Sequence, residues 1–221
     1  MSKTAVITGA NRGIGLALAR NLKARGYDIV GVCRTASAEL EMVTSDIVDN
    51  TDLTNAADVA RLAEHLQGRS IDVLINNAGA MADHVLGDID YNSMQQLMTV
   101  NAFAPLHVTE ALLDNLNEGS KVILVTSRMG SIADNDSGGR YGYRASKAAL
   151  NAIGKSLAVD LKSQGIAVAL LHPGYVQTRM VGFGGHITPD EAAAGMADRI
   201  AELDLGNTGT FWHSNGEILP W

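Results

Sequence analysis

Short runs of apolar, largely β-branched residues alternate along this chain with longer stretches in which apolar positions recur every three or four residues. Residues 4–8 read as a buried strand, followed by a turn from Gly9 to Gly15 and a helical run to about Arg25 that Gly26 closes. A second strand spans 28–33 and a weaker one lies near 47–50, after which Thr54 is expected to cap a helix reaching about Gln67, with Gly68 just beyond it. The pattern then predicts a fourth strand at 71–76, an amphipathic helix over 92–116, a fifth strand at 121–126, a long helix over 142–164 ended by Gly165, and a sixth strand at 166–172. Thr188-Pro189-Asp190-Glu191 combines capping-box spacing with proline at the first helical position, predicting a helix to about Asp204. A last strand at 210–213 precedes an Asn215-Gly216 turn.

Repeated strand–helix units without a long linker, internal repeat or low-complexity segment imply a parallel sheet covered on both faces. The expected fold is α/β: a doubly wound, Rossmann-type parallel sheet of about seven strands in three αβα layers. A single domain over 1–221 is expected, with its ligand site at the carboxyl ends of the strands. Composition narrows the ligand. The 221 residues are 46% hydrophobic, enough for one sizeable core, and carry a formal net charge of -7 with no run of Lys or Arg. That balance argues against a nucleic-acid partner or an anionic membrane surface and leaves small-molecule work as the default. Cys33 is the sole cysteine, which removes any intrachain disulfide or cysteine-based metal cluster and fits a reducing compartment. None of the six histidines forms a His-x3-His pair, so no metal site is expected. The first residues leave no room for a signal h-region, and no apolar stretch approaches the ~18 residues of a membrane span. A cytoplasmic location is expected.

The first glycine turn sits where such a fold binds a dinucleotide. Gly9 permits the sharp exit from the strand, Gly13 lets backbone approach a pyrophosphate, and Gly15 lets the helix pack tightly on the sheet. The helix N-terminus then offers unpaired N–H groups and a partial positive charge, with Asn11, Arg12 and Ile14 in the same turn. Folds of this type that select NAD place an acidic residue after the second strand, whereas a 2′-phosphate needs a cation. Here that position holds Arg34, followed by Thr35, with no carboxylate until Glu39. Two guanidiniums, Arg12 and Arg34, near one phosphate favour NADP(H) over NAD(H). Solvated surface charges are the alternative reading, and NAD(H) stays open with it.

Tyr143 and Lys147 stand one helical turn apart in Tyr143-Arg-Ala-Ser-Lys147. A free tyrosine titrates near ~10, and a fixed positive charge beside it favours the phenolate and lowers that value. Tyr143 could then serve as a general acid or base in neutral solution. Spacing alone favours an ordinary surface pair, so the motif needs support from the rest of the chain.

Together these pieces resemble the short-chain dehydrogenases/reductases. The matching segments, in the family's order, are Thr8-Gly-Ala-Asn-Arg-Gly-Ile-Gly15, Asp52-Leu53, Asn76-Asn-Ala-Gly79, Val100-Asn101-Ala102, Thr126-Ser127, Tyr143-x3-Lys147 and Pro173-Gly174-x-Val176-x-Thr178. Ser127-Arg-Met-Gly-Ser131 and His172-Pro-Gly-Tyr-Val-Gln-Thr178 look like the C-factor/sniffer type of carbonyl reductase within that family. The resemblance implies a catalytic set of Asn101, Ser127, Tyr143 and Lys147, in which the tyrosine gives a proton to a carbonyl oxygen while a nicotinamide delivers hydride to the carbon, or the reverse. Ser127 would hold the substrate oxygen, Lys147 would bind the nicotinamide ribose, and Asn101, midway along an otherwise regular helix, would position a water leading towards Lys147. It further implies Asp52 and Leu53 flanking adenine, Asn77, Ala78 and Gly79 lining the cleft near the ribose, and Pro173, Gly174, Val176 and Thr178 at the nicotinamide end. Ser127 and Tyr143 are sixteen positions apart, slightly more than is usual, and the surplus falls in Asp134-Asn-Asp-Ser-Gly-Gly139, a pocket edge or a solvated turn.

The glycine-rich loop at about 174–188 is expected to cover the substrate, or else to be a floppy connection, while Met129, Tyr175, Met180 and Phe183 supply an apolar lining. His84, beside Asp83, is expected either to touch substrate or to form a solvated pair. The implied function is NADPH-dependent reduction of a ketone or aldehyde, the alternative being an NAD(P)-binding signalling protein of the C-factor type. Family resemblance implies a homodimer or homotetramer built through the two long helices, although some short relatives are monomers.

Overall fold

The computed structural model describes residues 3–221. Seven strands form one sheet: β1 (Lys3–Thr8), β2 (Tyr27–Val32), β3 (Ile47–Val48), β4 (Ile71–Asn76), β5 (Leu116–Val125), β6 (Ala167–His172) and β7 (Thr210–His213). Their order is β3-β2-β1-β4-β5-β6-β7, and every neighbouring pair is parallel. The doubly wound α/β arrangement expected from the alternation is therefore the observed one.

Alternate residues of each strand face opposite layers. Ala5 and Ile7, Val73 and Ile75, Ile123 and Val125, and Ala169 and Leu171 pack with α1 (Gly13–Ala24) and α7 (Pro189–Glu202). Val6, Leu74, Val122, Leu124 and Val168 pack on the other side with α3 (Ala56–His65), α5 (Ala104–Ala111) and α6 (Tyr141–Asp160). A strand covered on both faces has no polar side, which is why Val122-Ile123-Leu124-Val125 reads as a continuous apolar run. Chain direction across the sheet reverses between β1 and β4, so the loops leaving these two strands part and open a crevice at their carboxyl ends.

Two sequence expectations are corrected. The helix expected over 92–116 is α4 (Tyr91–Met98), a π-helical turn over Thr99–Phe103, α5 and a 3-10 turn over Leu113–Asn115, with β5 already beginning at Leu116. Pro105 explains the break: it has no N–H to give to the carbonyl four residues back, that of residue 101, so the regular ladder cannot pass. Asn115 ends the helical stretch by donating to the carbonyls of Leu66 and Arg69 at 2.6 and 2.8 Å. The cap of α3 is Asn55, whose side chain accepts from Ala57 N at 2.9 Å, because Thr54 turns its hydroxyl onto Asp52 at 2.8 Å instead. A short helix α2 (Ala38–Glu41), capped by Ser37, has no counterpart in the hydrophobic pattern. The capping box of Thr188 and Glu191 is present as the spacing predicts. Among the described residues no helix is long and apolar enough to cross a membrane.

Candidate active site

The crevice floor is the turn between β1 and α1. Gly9 and Gly13 adopt φ of 67° and 55°, the left-handed region that disfavours any side chain. Gly15 has no room for one, since a Cβ there would lie 2.6 Å from Asn77 Nδ2 and closer still to the Gly9 carbonyl oxygen. Arg12 precedes α1 in extended conformation, no side chain caps the helix, and no acidic residue occupies its first turn. Its first N–H groups are left for an anion. The turn is braced from both sides. Asn77 donates to the carbonyls of Thr8 and Gly9 at 2.9 and 3.3 Å, and Thr8 Oγ1 accepts from the backbone of Asn77 and Ala78 at 2.9 and 3.0 Å. Asn11 donates to the Thr35 carbonyl at 2.9 Å, tying the loop that carries Arg34 to the glycine turn. Arg12 and Arg34 are both exposed there, and the charge of Arg34 reaches Asp52, adding to the hydrogen bonds from Thr54 that hold the Asp52 carboxyl below its ordinary range.

At the mouth of the crevice, β5 delivers Ser127 and α6 delivers Tyr143 and Lys147, all three buried. Burial pushes the Tyr143 phenol above its ordinary pKa, while a hydrogen bond with the Ser127 side chain and the charge of Arg140 pull it back down. The expected lowering of this pKa by Lys147 is not what the structure provides. The ammonium donates to the Val125 carbonyl at 2.9 Å and stands 5.9 Å from the centre of the tyrosine ring, and desolvation lowers its own pKa to about 8. Both groups are so deeply buried that loss of water is the largest influence on each. The surface-pair reading of Tyr143 and Lys147 is excluded by the same burial.

Asn101 lies in the π-helical turn rather than in a regular helix, fully buried. Its side chain accepts from Ala80 N and donates to the Ala80 carbonyl, both at 2.8 Å, and also donates to Ser146 Oγ at 3.0 Å. It thus locks the loop after β4 to the helix of Tyr143. Gly79 lies between Asn101 and Lys147: a Cβ there would be 3.1 Å from Asn101 Oδ1 and 3.8 Å from Lys147 Nζ.

The loop after β6 closes the far side. Pro173 is buried, with its carbonyl accepting from Ser214 Oγ at 3.0 Å, Gly174 has φ of 97°, and the Thr178 methyl would lie 3.5 Å from a Cβ placed on Gly13. A bridge between Val176 and Ile187 pins the neck of the loop, leaving Met180 and Phe183 exposed beyond it. His84 departs from the solvated-pair expectation: it is 3% exposed, packs near Gly142 and Met94 with neither ring nitrogen partnered, and leaves Asp83 to pair with Arg140 at 2.8 Å. Leu53 packs at the edge of the core under α3, and Ala78 lies on the Gly9 turn. Sequence reasoning missed Thr8 and Ser146 as braces of the site. Both sit inside matched segments, but their partners are backbone groups or distant side chains that spacing does not reveal.

Comparison with known proteins agrees with this fold. The sequence profile of the short chain dehydrogenases matches residues 3–185. The chain is 38% identical to the 1-hydroxy-2-glutathionyl-2-methyl-3-butene dehydrogenase of Rhodococcus sp. (strain AD45), over 99% of both chains. It is 45% identical to the C-signal protein of Myxococcus xanthus over 68% of this chain and 93% of that one. Among solved structures, a short-chain dehydrogenase/reductase from Burkholderia multivorans with bound NADP superposes with a TM-score of 0.92 at 31% identity, covering all of both chains. The NADPH-bound carbonyl reductase from chicken fatty liver gives 0.91 at 28%, over 100% of this chain and 99% of that one. Carbonyl reductase Sniffer of D. melanogaster gives 0.91 at 29% over all of both chains.

Proposed function

The chain belongs to the short-chain dehydrogenase/reductase family of NAD(P)-dependent oxidoreductases, and from that premise we propose that it uses NADP(H) to interconvert a ketone or aldehyde and its alcohol, with Tyr143 as the proton donor. One observation carries this reading: the buried Tyr143 phenol and Ser127 hydroxyl are hydrogen-bonded to each other, with buried Lys147 one helical turn from Tyr143. The crevice suits a dinucleotide, because Gly15 leaves no space for a Cβ and the start of α1 is uncapped. Gly9, Asn11, Gly13, Ile14 and Gly15 would hold the pyrophosphate, and Arg12, Arg34 and Thr35 the 2′-phosphate. Asp52 and Leu53 would flank adenine, Asn77, Ala78 and Gly79 would line the ribose, and Pro173, Gly174, Val176 and Thr178 would enclose the nicotinamide, whose ribose Tyr143 and Lys147 would hold. When bound, the cofactor supplies hydride to the carbonyl carbon or accepts one from an alcohol.

The side chains have separate tasks. Ser127 donates a hydrogen bond to the substrate oxygen and stabilises the negative charge that develops there. A phenol whose pKa is raised by burial stays protonated at neutral pH, which is the form a donor needs. Lys147, protonated below about 8, would donate from its remaining N–H groups to the nicotinamide ribose. Asn101 keeps the Ala80 loop and α6 in register around them. The loop over 174–188 closes on the substrate, and exposed Met180 and Phe183 favour an apolar substituent on the carbonyl.

Similarity to the C-signal protein favours one second reading, an NAD(P)-binding signalling protein with little turnover. The test is to follow NADPH absorbance with a panel of aliphatic and aromatic ketones and aldehydes. The reverse direction is run with NADP+ and alcohols, including a hydroxy compound bearing a glutathionyl group like that named for the Rhodococcus relative. Oxidation of NADPH with a carbonyl substrate supports the enzyme; NADPH binding without turnover on any of them supports the signalling reading.

A further inference from the structure

Ser127 is followed at once by a tight turn, Arg128–Gly130, in which its Oγ accepts from Met129 N at 3.2 Å and its carbonyl from Gly130 N at 2.8 Å. One side of this turn rests on α6, where a Cβ on Gly130 would come within 2.7 Å of the Lys147 backbone. The other side is held from a distant part of the chain. Arg128 Nη2 pairs with Glu217 at 2.6 Å and Nε with Asp134 at 3.5 Å. Glu217 belongs to a segment that folds back along β7. His213 N donates to the Glu217 carbonyl and Leu219 N to the Phe211 carbonyl, both at 2.8 Å, and the Trp221 and Phe211 rings lie 5.6 Å apart. The same segment touches the loop before α6 again, since the Trp221 carbonyl accepts from Ala133 N at 2.9 Å.

We propose that Arg128 and Glu217 are a positioning pair for the Ser127 hydroxyl, through which the segment following β7 sets the geometry of the proton-transfer site. This rests on the reading that Ser127 and Tyr143 carry the chemistry. The logic is mechanical. A serine at the head of a turn that is wedged on one side only can rotate with the turn, and its hydroxyl already has one competing partner in Met129 N. An arginine fork fixed to a segment that is itself hydrogen-bonded to the sheet removes that freedom. Both side chains are substantially exposed, at 40% and 50%, so the pair contributes little to global stability and its loss separates placement from folding.

Three variants test it: Arg128→Gln, Glu217→Gln and the double variant, each assayed for carbonyl reduction with thermal unfolding as a control. The expected result is a fall in kcat of about five-fold in each single variant, KM for NADPH within about two-fold of wild type, and a double variant no slower than Arg128→Gln alone, as for residues acting as a unit. A readout without turnover is the Tyr143 phenol titration in the protein alone, taken as tyrosinate absorbance by difference from Tyr143→Phe. Glu217→Gln is expected to raise that pKa in the same direction as Ser127→Ala, because the serine partner of the phenol has moved. Wild-type kcat together with an unchanged phenol titration in Glu217→Gln overturns the pair, as do simply additive losses in the double variant. A wild-type protein that binds NADPH and reduces nothing defeats the proposed activity instead, and the titration still decides the pair.

Discussion

The Lys147 ammonium donates to the Val125 backbone carbonyl, 2.9 Å away, and stands 5.9 Å from the centre of the Tyr143 ring. Burial lowers its pKa from 10.5 to about 8, whereas in the unfolded chain it titrates at the ordinary value. Below about 8 both states carry the proton and the folded state bears the full cost of a buried charge. Between about 8 and 10.5 the unfolded chain holds more protons, so stability rises with pH through this window. Lys147→Met is accordingly expected to stabilise the cofactor-free protein at neutral pH, on the order of 3 kcal/mol for a shift of this size, with the gain shrinking above pH 8. Urea unfolding of both proteins across this range measures it; a gain that stays constant with pH contradicts the assignment.

Asn101→Ala leaves the Ala80 N–H and carbonyl and the Ser146 hydroxyl without their present partner in a buried turn. A loss of about 2–4 kcal/mol is expected from unsatisfied buried groups, read as a lower urea midpoint with an unchanged slope. The same variant is expected to lose turnover beyond what the folded fraction explains, because the loop after β4 is no longer fixed to α6. Activity restored in full by correcting for the folded fraction would reduce Asn101 to a stability element.

Arg34 is exposed beside the glycine turn, with Asn11 holding the neighbouring Thr35 carbonyl. Arg34→Asp is expected to weaken NADPH binding by about ten- to a hundred-fold, the scale of one charge-assisted hydrogen bond, and to leave NADH binding nearly unchanged. Fluorescence titration with each nucleotide gives both affinities. Equal losses for the two would place the 2′-phosphate elsewhere.

Much of the fold was legible because a sheet covered on both faces writes itself as apolar runs, and because Gly9 and Gly13 take a left-handed φ that favours glycine while Gly15 has no room for a Cβ. The interruption between α4 and α5 was less visible: an amphipathic pattern tolerates one extra residue per turn, and Pro105 was its single marker. Within the site, Ser127, Tyr143 and Lys147 were readable through the family resemblance of the segments that carry them, but their energetics were not. The direction of the Tyr143 shift depends on how deeply both groups are buried and where the ammonium points, which are tertiary facts. The Arg128–Glu217 contact spans 89 positions and leaves no local trace. His84 looked solvated beside Asp83, yet the left-handed Arg140 takes the carboxylate and the imidazole is packed inside.

The most direct measurement is the rate of NADPH-dependent reduction by Tyr143→Phe beside wild type, with the best carbonyl substrate found and with NADPH affinity measured in both. Removing the phenolic proton alone is expected to lower kcat by roughly 10²–10⁴-fold, the range of a positioned general acid, while NADPH still binds within a few-fold of wild type. Equal rates in the two proteins would contradict Tyr143 as the donor.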